Sequence, residues 1–166
     1  MTASHPATYS RLQILLHWVI ALIVFFQLIF GEAMGDLGRA LRKGETPEAS
    51  VEFLANAHIW LGVTLLVLMV LRIALKLTRG APALVPGPRW QQILAHSVHG
   101  ILYLLLLIAP ITGLVAWFGG VHLSGEVHEL LKPLFILTIV AHVAGALWHQ
   151  FVSHDGTLMR MMPGRN

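Results

Sequence analysis

The sequence predicts an all-α fold, an integral membrane four-helix bundle with up-down-up-down topology, and two observations support this prediction. First, 56% of the 166 residues are hydrophobic and only 11% are charged, whereas soluble domains carry about 25% charged residues. Second, four long stretches are apolar and free of charge, and roughly twenty such residues cross the hydrocarbon core as a helix. Lipid favours helices because every backbone polar group must be satisfied within the spanning segment.

The four apolar stretches define one predicted domain over residues 1–166 and give its helices in order. The first stretch carries His17 and Gln27 and lacks a small-x-small cleavage site, so we interpret it as a retained helix rather than a signal peptide. Pro110 is expected to kink the third helix, and the Gly119-Gly120 pair is expected to follow its end. The predicted helices span about residues 11–34, 51–78, 90–118 and 126–153.

Lys and Arg side chains are distributed unequally between the two ends of the predicted bundle. Seven lie on the side of the termini, and four lie on the opposite side, where seven acidic residues leave a net charge of −3. By the positive-inside rule, both termini lie in the cytoplasm, and the acidic end faces outward. The first outer connection, residues 31–50, is expected to be long and polar. We expect a lipid bilayer as the surroundings and no nucleic-acid partner.

The ten histidines and the absence of cysteine narrow the chemistry. Without cysteine there is no disulfide, no thiolate-ligated haem or iron–sulfur cluster, and no covalent c-type haem, which needs Cys-x-x-Cys-His. Histidine is costly in hydrocarbon, so histidines inside membrane spans are functional candidates. Any haem must therefore be bound non-covalently by other side chains.

The spacing of two histidines in the fourth helix predicts a pair of stacked cofactor sites. His128 and His142 are fourteen residues apart, which places them on about the same helix face and ~21 Å apart along the axis. Matching depths pair His58 with His128 near the outer face and His17 with His142 near the inner face. Two imidazoles fill both axial positions of a haem iron, which suits electron transfer. We therefore predict two haem b groups with these four histidines as iron ligands.

Two considerations bear on this assignment. A single histidine in a helix is more often a hydrogen-bonded structural residue than a metal ligand, but the fourteen-residue spacing with depth-matched partners favours ligation here. Gly62, one turn after His58, and Gly145, near His142, are expected to let a flat macrocycle approach the backbone.

The remaining candidates lie near the inner end, and their roles stay open. His96, His99 and His149 could contact haem propionates, line a quinone pocket or serve as substitute ligands. Arg72 could pair with a propionate in a bidentate manner, or it could be an interface anchor whose charged end reaches toward water. A quinone pocket near Arg11, Arg72 and His96 is a further hypothesis.

The order of several short motifs resembles the bacterial cytochrome b561 family over about residues 9–163. The matching pieces are Ser10-Arg11-Leu12-Gln13, His17-Trp18, His58, Leu68-Met69-Val70-Leu71-Arg72, Ala95-His96 with His99, Val127-His128-Glu129, His142, Ala146-Leu147-Trp148-His149, and Asp155-Gly156-Thr157-Leu158-Met159-Arg160-Met161-Met162-Pro163. The resemblance implies a four-helix di-haem b protein of the inner membrane that exchanges electrons with ubiquinone, and it implies the same four histidine ligands. It also implies that some members oxidise superoxide at the outer face. An outer face of net −3 would not steer an anion such as superoxide, which leaves the electron donor open.

Three functions remain after this reasoning. The first is an oxidoreductase that transfers electrons from an outer-face donor, superoxide being one candidate, to ubiquinone. The second is a membrane anchor subunit that relays electrons for a periplasmic redox partner. The third is a membrane protein that binds a transition metal without haem, since imidazole suits zinc, copper and nickel. Such sites usually include carboxylates or thiolates, and this chain has neither at depth in its spans.

Overall fold

The computed structural model describes residues 8–83 and 85–162, and it confirms the all-α prediction. Five α-helices and one short 3-10 helix make up the regular structure of these residues, which include no β-strand. Pro163, the last residue of the motif that suggested a family, lies outside the described residues. The helices are α1 (Arg11–Phe30), α2 (Ala33–Lys43), α3 (Ala49–Arg79), α4 (Arg89–Gly119) and α5 (His122–Phe151), and the 3-10 helix is Leu158–Met161.

Four of the helices, α1, α3, α4 and α5, are long and apolar enough to cross a membrane, as predicted. The predicted ends of these helices lie within four residues of the observed ends. Their outward faces carry large apolar side chains such as Leu22, Leu137 and Phe151, each about two thirds exposed. Exposure of such a side chain to water is less favourable than burial in an apolar environment by roughly 1.5–3 kcal/mol of transfer free energy. Lipid is therefore the solvent that suits this surface.

The first connection differs from its predicted form, because part of residues 31–50 folds into the helix α2. This helix is amphipathic: Ala33 and Leu37, four residues apart, are buried, while charged side chains occupy much of the remaining surface. Its eleven residues are too few to span a membrane. A stripe of only two buried residues within a charged segment gave too weak a periodic signal to be recognised in the sequence.

A two-residue connection joins α4 to α5 and holds the two helices antiparallel. Gly120 adopts φ 65°, in the left-handed region that favours glycine, and Val121 precedes the first turn of α5. The end of α4 at Gly119 lies one residue beyond the predicted end at Phe118, so that only the second glycine of the pair follows the helix. Pro110 lies inside α4, and the helix continues beyond it. We call the end of the bundle that carries α2 and this turn the outer end, and the opposite end the inner end.

A buried apolar cluster fills the middle of the bundle between its two ends. α5 packs along α4, and α3 contacts both α1 and α4, whereas direct contact of α5 with α1 or α3 is sparse within the described residues. At the outer end, a cavity separates α5 from these two helices. The cluster consists of Ile20, Ile23, Val24, Leu65, Met69, Leu105 and Phe135, and Met69 is fully buried.

The segment after α5 folds back against the inner end. The indole Nε1–H of Trp18 donates to the carbonyl of Met161 at 2.7 Å. The guanidinium of Arg160 donates to the carbonyl of Ala83 at 2.9 Å. These two bonds tie the segment to α1 and to the connection between α3 and α4.

Candidate haem sites

His58 on α3 and His128 on α5 lie close together at the outer end of the bundle. Their ring centroids are 6.0 Å apart, and their ring planes meet at 87°. A metal–nitrogen bond of about 2 Å on each side, plus about 1 Å from each nitrogen to its ring centre, separates two axial imidazoles by roughly 6 Å. The spacing therefore suits one iron between the two rings.

A cavity of about 800 Å³ surrounds this outer pair. Sites for small molecules and cofactors commonly have about 300–1,000 Å³. A Cβ added at Gly113 would lie 3.1 Å from the His128 ring, and one added at Gly31 would lie 3.3 Å from the His58 ring. The backbone thus approaches both imidazoles closely, which leaves room for a flat macrocycle that larger side chains would obstruct. The glycines of the wall are Gly31, Gly35, Gly38, Gly62, Gly113 and Gly125.

The ring of His128 is held by a hydrogen bond of the kind that orients metal-binding imidazoles. Its Nδ1–H donates to the carbonyl of Ala109 at 2.8 Å, and Thr112 Oγ1 lies 3.5 Å from the same nitrogen. A carbonyl can only accept, so Nδ1 carries the proton and Nε2 is free to bind iron. Ser124 Oγ donates to the carbonyl of Thr112 at 2.8 Å, which joins α4 and α5 beside this bond.

The ring of His58 has no corresponding support among the described residues. Its Nδ1 is buried without a hydrogen-bond partner, and so is Oε1 of Gln27 on α1. The Gln27 Nε2 donates to the backbone carbonyl of His58 at 2.9 Å. The two candidate ligands of the outer site are therefore held in different ways.

His17 on α1 and His142 on α5 form the second pair, at the inner end. Their ring centroids are 6.1 Å apart, and their planes meet at 64°. His99 on α4 adds a third ring, whose centroid lies 5.1 Å from that of His142. The Nδ1–H of His99 donates to the carbonyl of Ala95 at 2.7 Å, so its Nε2 is free of the proton. The inner end thus gathers three imidazoles, whereas the outer pair consists of two.

Arg72 reaches the inner pair from α3. Its Nη1 donates to the carbonyl of Gln13 at 3.0 Å. Its charge lies close enough to interact with His17, His99 and His142. A guanidinium has five N–H donors, so Arg72 retains donors for a carboxylate or carbonyl group beside the inner pair.

His96 and His149 bond to groups that do not belong to the two pairs. The Nδ1–H of His96, an exposed residue, donates to the carbonyl of Gln92 at 2.8 Å. His149 contacts the carboxylate of Asp155 beyond the end of α5. Partial burial would raise the pKa of Asp155, but hydrogen bonds from the hydroxyl and amide of Thr157 and from His149 lower this pKa below its ordinary value of 3.8. A role for either histidine at a cofactor stays a prediction.

Haem b fits the residues of both pairs better than a bare metal ion does. Among residues 8–83 and 85–162, no group of three or more His, Asp or Glu side chains is arranged to hold a metal ion. Protein zinc sites use three or four side-chain ligands, whereas each pair offers two imidazoles whose ring centroids are about 6 Å apart. A porphyrin supplies the remaining four nitrogens, so two axial imidazoles suffice. The assignment of the four histidines as ligands stays a prediction.

Sequence reasoning missed most of the residues that support the outer pair. Nothing in the sequence marks Gly113 or Ala109, because their proximity to a ligand depends on how α4 is rotated against α5. Gln27 carried the one available signal, since an amide within an apolar helix needs a partner. Of the two glycines expected beside a macrocycle, Gly62 lines the outer cavity, whereas a Cβ at Gly145 would meet nothing within 4 Å.

Comparison with known proteins confirms the family resemblance. The chain is 38% identical to cytochrome b562 of Cereibacter sphaeroides, over 95% of this chain and 96% of that protein. It is 32% identical to the probable superoxide oxidase CybB of Yersinia pestis, over 93% of this chain and 96% of that protein. It is 30% identical to cytochrome b561 homolog 1 of Escherichia coli K12, over 95% of this chain and 98% of that protein.

The family that these relatives represent binds haem b and transfers electrons in membranes, in agreement with the four apolar helices and their histidine pairs. The match to the family described as prokaryotic cytochrome b561 extends over residues 8–164, nearly the whole chain, and the protein therefore belongs to that family.

Proposed function

We propose that this membrane cytochrome carries two haem b groups and passes electrons from an outer-face donor to the ubiquinone pool of the bacterial inner membrane. In this proposal His58 and His128 hold the outer haem, and His17 and His142 hold the inner one. Iron with two imidazole ligands supplies a one-electron couple that needs little rearrangement. The observation that carries the proposal is the nearly equal ring spacing, 6.0 and 6.1 Å, at two levels of α5.

The residues between the two pairs separate them with packed apolar side chains. Phe135 is buried and lies seven residues from each α5 histidine, which places it on about the same helix face as both. Leu65 and Met69 on α3 pack in the same cluster. A close-packed interior holds the two sites at a fixed separation and excludes water from between them.

Superoxide is the outer donor to test first, because a relative bears the name probable superoxide oxidase. Arg39, Arg42 and Lys132 line the outer cavity. Arg39 pairs with Asp36, and Lys132 pairs with Glu32 at 3.1 Å, whereas Arg42 forms no ion pair with any described residue. An anion approaching a face of net −3 is repelled, so the proposal requires the cations at the cavity to outweigh the acidic surface nearby.

The quinone is assigned to the inner end in this proposal. Arg72 retains guanidinium donors that suit a quinone carbonyl, and the Nε2 of His99 is not bonded to its own helix. By the positive-inside rule this end faces the cytoplasm, where protons for quinone reduction are available.

The first experiment is a reduced-minus-oxidised visible spectrum of the purified protein, together with a haem assay. We expect two b-type haems per chain, and a colourless protein after expression with ample haem would contradict the proposal.

The second experiment adds a superoxide source and a ubiquinone analogue to the purified protein. Fast haem reduction with quinone-dependent turnover is expected, and haems that do not respond to superoxide would reject that donor.

A second candidate function is electron relay for a periplasmic redox partner. The observation that favours it is the outer surface of α2, where the large apolar side chain of Leu41 is 57% exposed next to Arg42 and Lys43. Such a mixture of apolar and basic side chains suits a transient protein contact. Copurification of a redox protein, with haems that it reduces and superoxide does not, would favour this function.

A further inference from the structure

Each of the two outer histidines needs a hydrogen-bond acceptor for its Nδ1–H if it binds iron, and only His128 has one within the described residues. A ring that binds iron through Nε2 keeps its proton on Nδ1 and needs an acceptor there. His128 has the carbonyl of Ala109 at 2.8 Å. The Nδ1 of His58 is buried and unpaired. A buried N–H without an acceptor is unfavourable, so a partner for His58 should lie nearby.

Gln27 is the polar side chain that lies against His58. Its Nε2 donates to the backbone carbonyl of His58 at 2.9 Å, which fixes the orientation of the amide, since a carbonyl can only accept. Oε1 is therefore the remaining polar atom of Gln27, and it too is buried and unpaired. The space between Gly31, Gln27 and His58 is narrow, because a Cβ added at Gly31 would lie 3.3 Å from the His58 ring and 2.6 Å from the Gln27 backbone carbonyl.

We propose that Gln27 is the positioning residue of the outer haem ligand His58, and that its side-chain oxygen accepts the Nδ1–H of His58 when the ring binds iron. The inference rests on the proposed function, because it concerns a ligand assigned there. A single hydrogen bond would satisfy the one unpaired donor and the one unpaired acceptor together. Gln27 would then hold His58 at two points, the backbone carbonyl and the ring.

This bond affects the redox balance of the outer haem. An acceptor on Nδ1–H raises the basicity of the imidazole, and a more basic ligand stabilises the oxidised iron. Loss of the acceptor therefore raises the outer midpoint potential. The inner haem, which Gln27 does not contact, provides a reference within the same molecule.

The experiment compares Gln27→Leu with the wild type by redox titration in lipid. Leu removes both hydrogen bonds and retains most of the volume, so we expect two haems per chain and an outer haem whose redox equilibrium shifts about tenfold toward reduction, which is about 59 mV. The outer haem is identified as the component that is missing in His128→Ala. Gln27→Glu keeps an acceptor oxygen and should not raise the outer midpoint. Val24→Ala, on the same cavity wall, is the matched control for a change of packing alone.

The outcomes separate this inference from the proposed function. An unchanged outer midpoint in Gln27→Leu would overturn the inference, as would an equal rise in Val24→Ala or in Gln27→Glu. Loss of the outer haem in Gln27→Leu with retention in Gln27→Glu would support it. Wild-type protein that lacks an outer haem would instead overturn the proposed function. Gln27→Met provides a second apolar variant if Gln27→Leu gives too little folded protein.

Discussion

The outer and inner ends of the bundle hold imidazole pairs of nearly the same spacing in different surroundings. The outer pair lies in a glycine-lined cavity, where one ring is held by the carbonyl of Ala109 and the other lies against Gln27. The inner pair lies beside a third ring, His99, and beside the charge of Arg72. If both pairs bind haem as proposed, the equal spacing gives them the same ligand chemistry, whereas the unequal neighbours should give the two haems different affinities and midpoint potentials.

The largest expected effect comes from removing one ligand at a time. His128→Ala should reduce haem content from two to one per chain by loss of the outer haem, and His142→Ala should do the same by loss of the inner haem. Each variant removes one of the two iron ligands and leaves an unfilled buried space in place of the imidazole, so retention of that haem is unfavourable. Haem per chain is measured by a pyridine haemochrome assay.

The matched control for these two variants is His122→Ala, since the ring of His122 lies at the exposed start of α5 and contacts Glu126. It should retain two haems. Two haems per chain in both ligand variants would contradict the ligand assignment at both ends.

A smaller effect is expected from Gly113→Ala, which tests whether close backbone approach matters at the outer end. The added Cβ would lie 3.1 Å from the His128 ring, so the ring must shift, and we expect about a tenfold loss of outer-haem affinity. Gly100→Ala, on the same helix with nothing within 4 Å of its Cβ, shows the gain in helix propensity alone, about 1 kcal/mol. Haem affinity is measured by titration of both variants. Equal affinities would contradict the claim that the close backbone approach at Gly113 matters for haem binding.

A further effect, confined to the inner end, is expected from Arg72→Ala. Removal of a positive charge near the inner iron favours the oxidised form of that iron. The midpoint potential of the inner haem should therefore fall by up to about 59 mV, which is about a tenfold shift in the redox equilibrium, without loss of haem. Arg79→Ala, at the exposed end of α3, is the control. An inner midpoint that does not move would mean that Arg72 is an interface anchor only.

The smallest effect concerns pH and the segment that folds over the inner end. Because the folded-state pKa of Asp155 is lowered, its contribution to the stability of this segment is fully present above pH 3.8 and is lost as pH falls through the lowered value. The protection of the backbone amides of residues 155–162 against hydrogen exchange, measured relative to the intrinsic exchange rate at each pH, should therefore fall in acid below that pH. In Asp155→Asn this fall should be absent, and an equal fall in the variant would assign it to other groups.

The features that the sequence predicted are those that can be measured along one helix at a time. Apolar length gave the four spans, and the fourteen-residue spacing with matching depth grouped His58 with His128 and His17 with His142. The proximity of His99 to His142 was not predictable, because it depends on the rotation of α4 about its own axis. The same holds for Ala109 and Gly113, and α2 was missed because its buried stripe is short.

The turn between α4 and α5 has a bearing on how the protein assembles in the membrane. Only Gly120 and Val121 separate these helices, so His128 and its acceptor Ala109 meet through neighbouring segments of chain, at little cost in loop-closure entropy. Within this hairpin α4 packs against α3, whereas α5 makes only sparse direct contact with α1 and α3 within the described residues. We therefore expect the proposed haems to provide much of the connection between α5 and these two earlier helices, so that cofactor supply governs the maturation of the bundle.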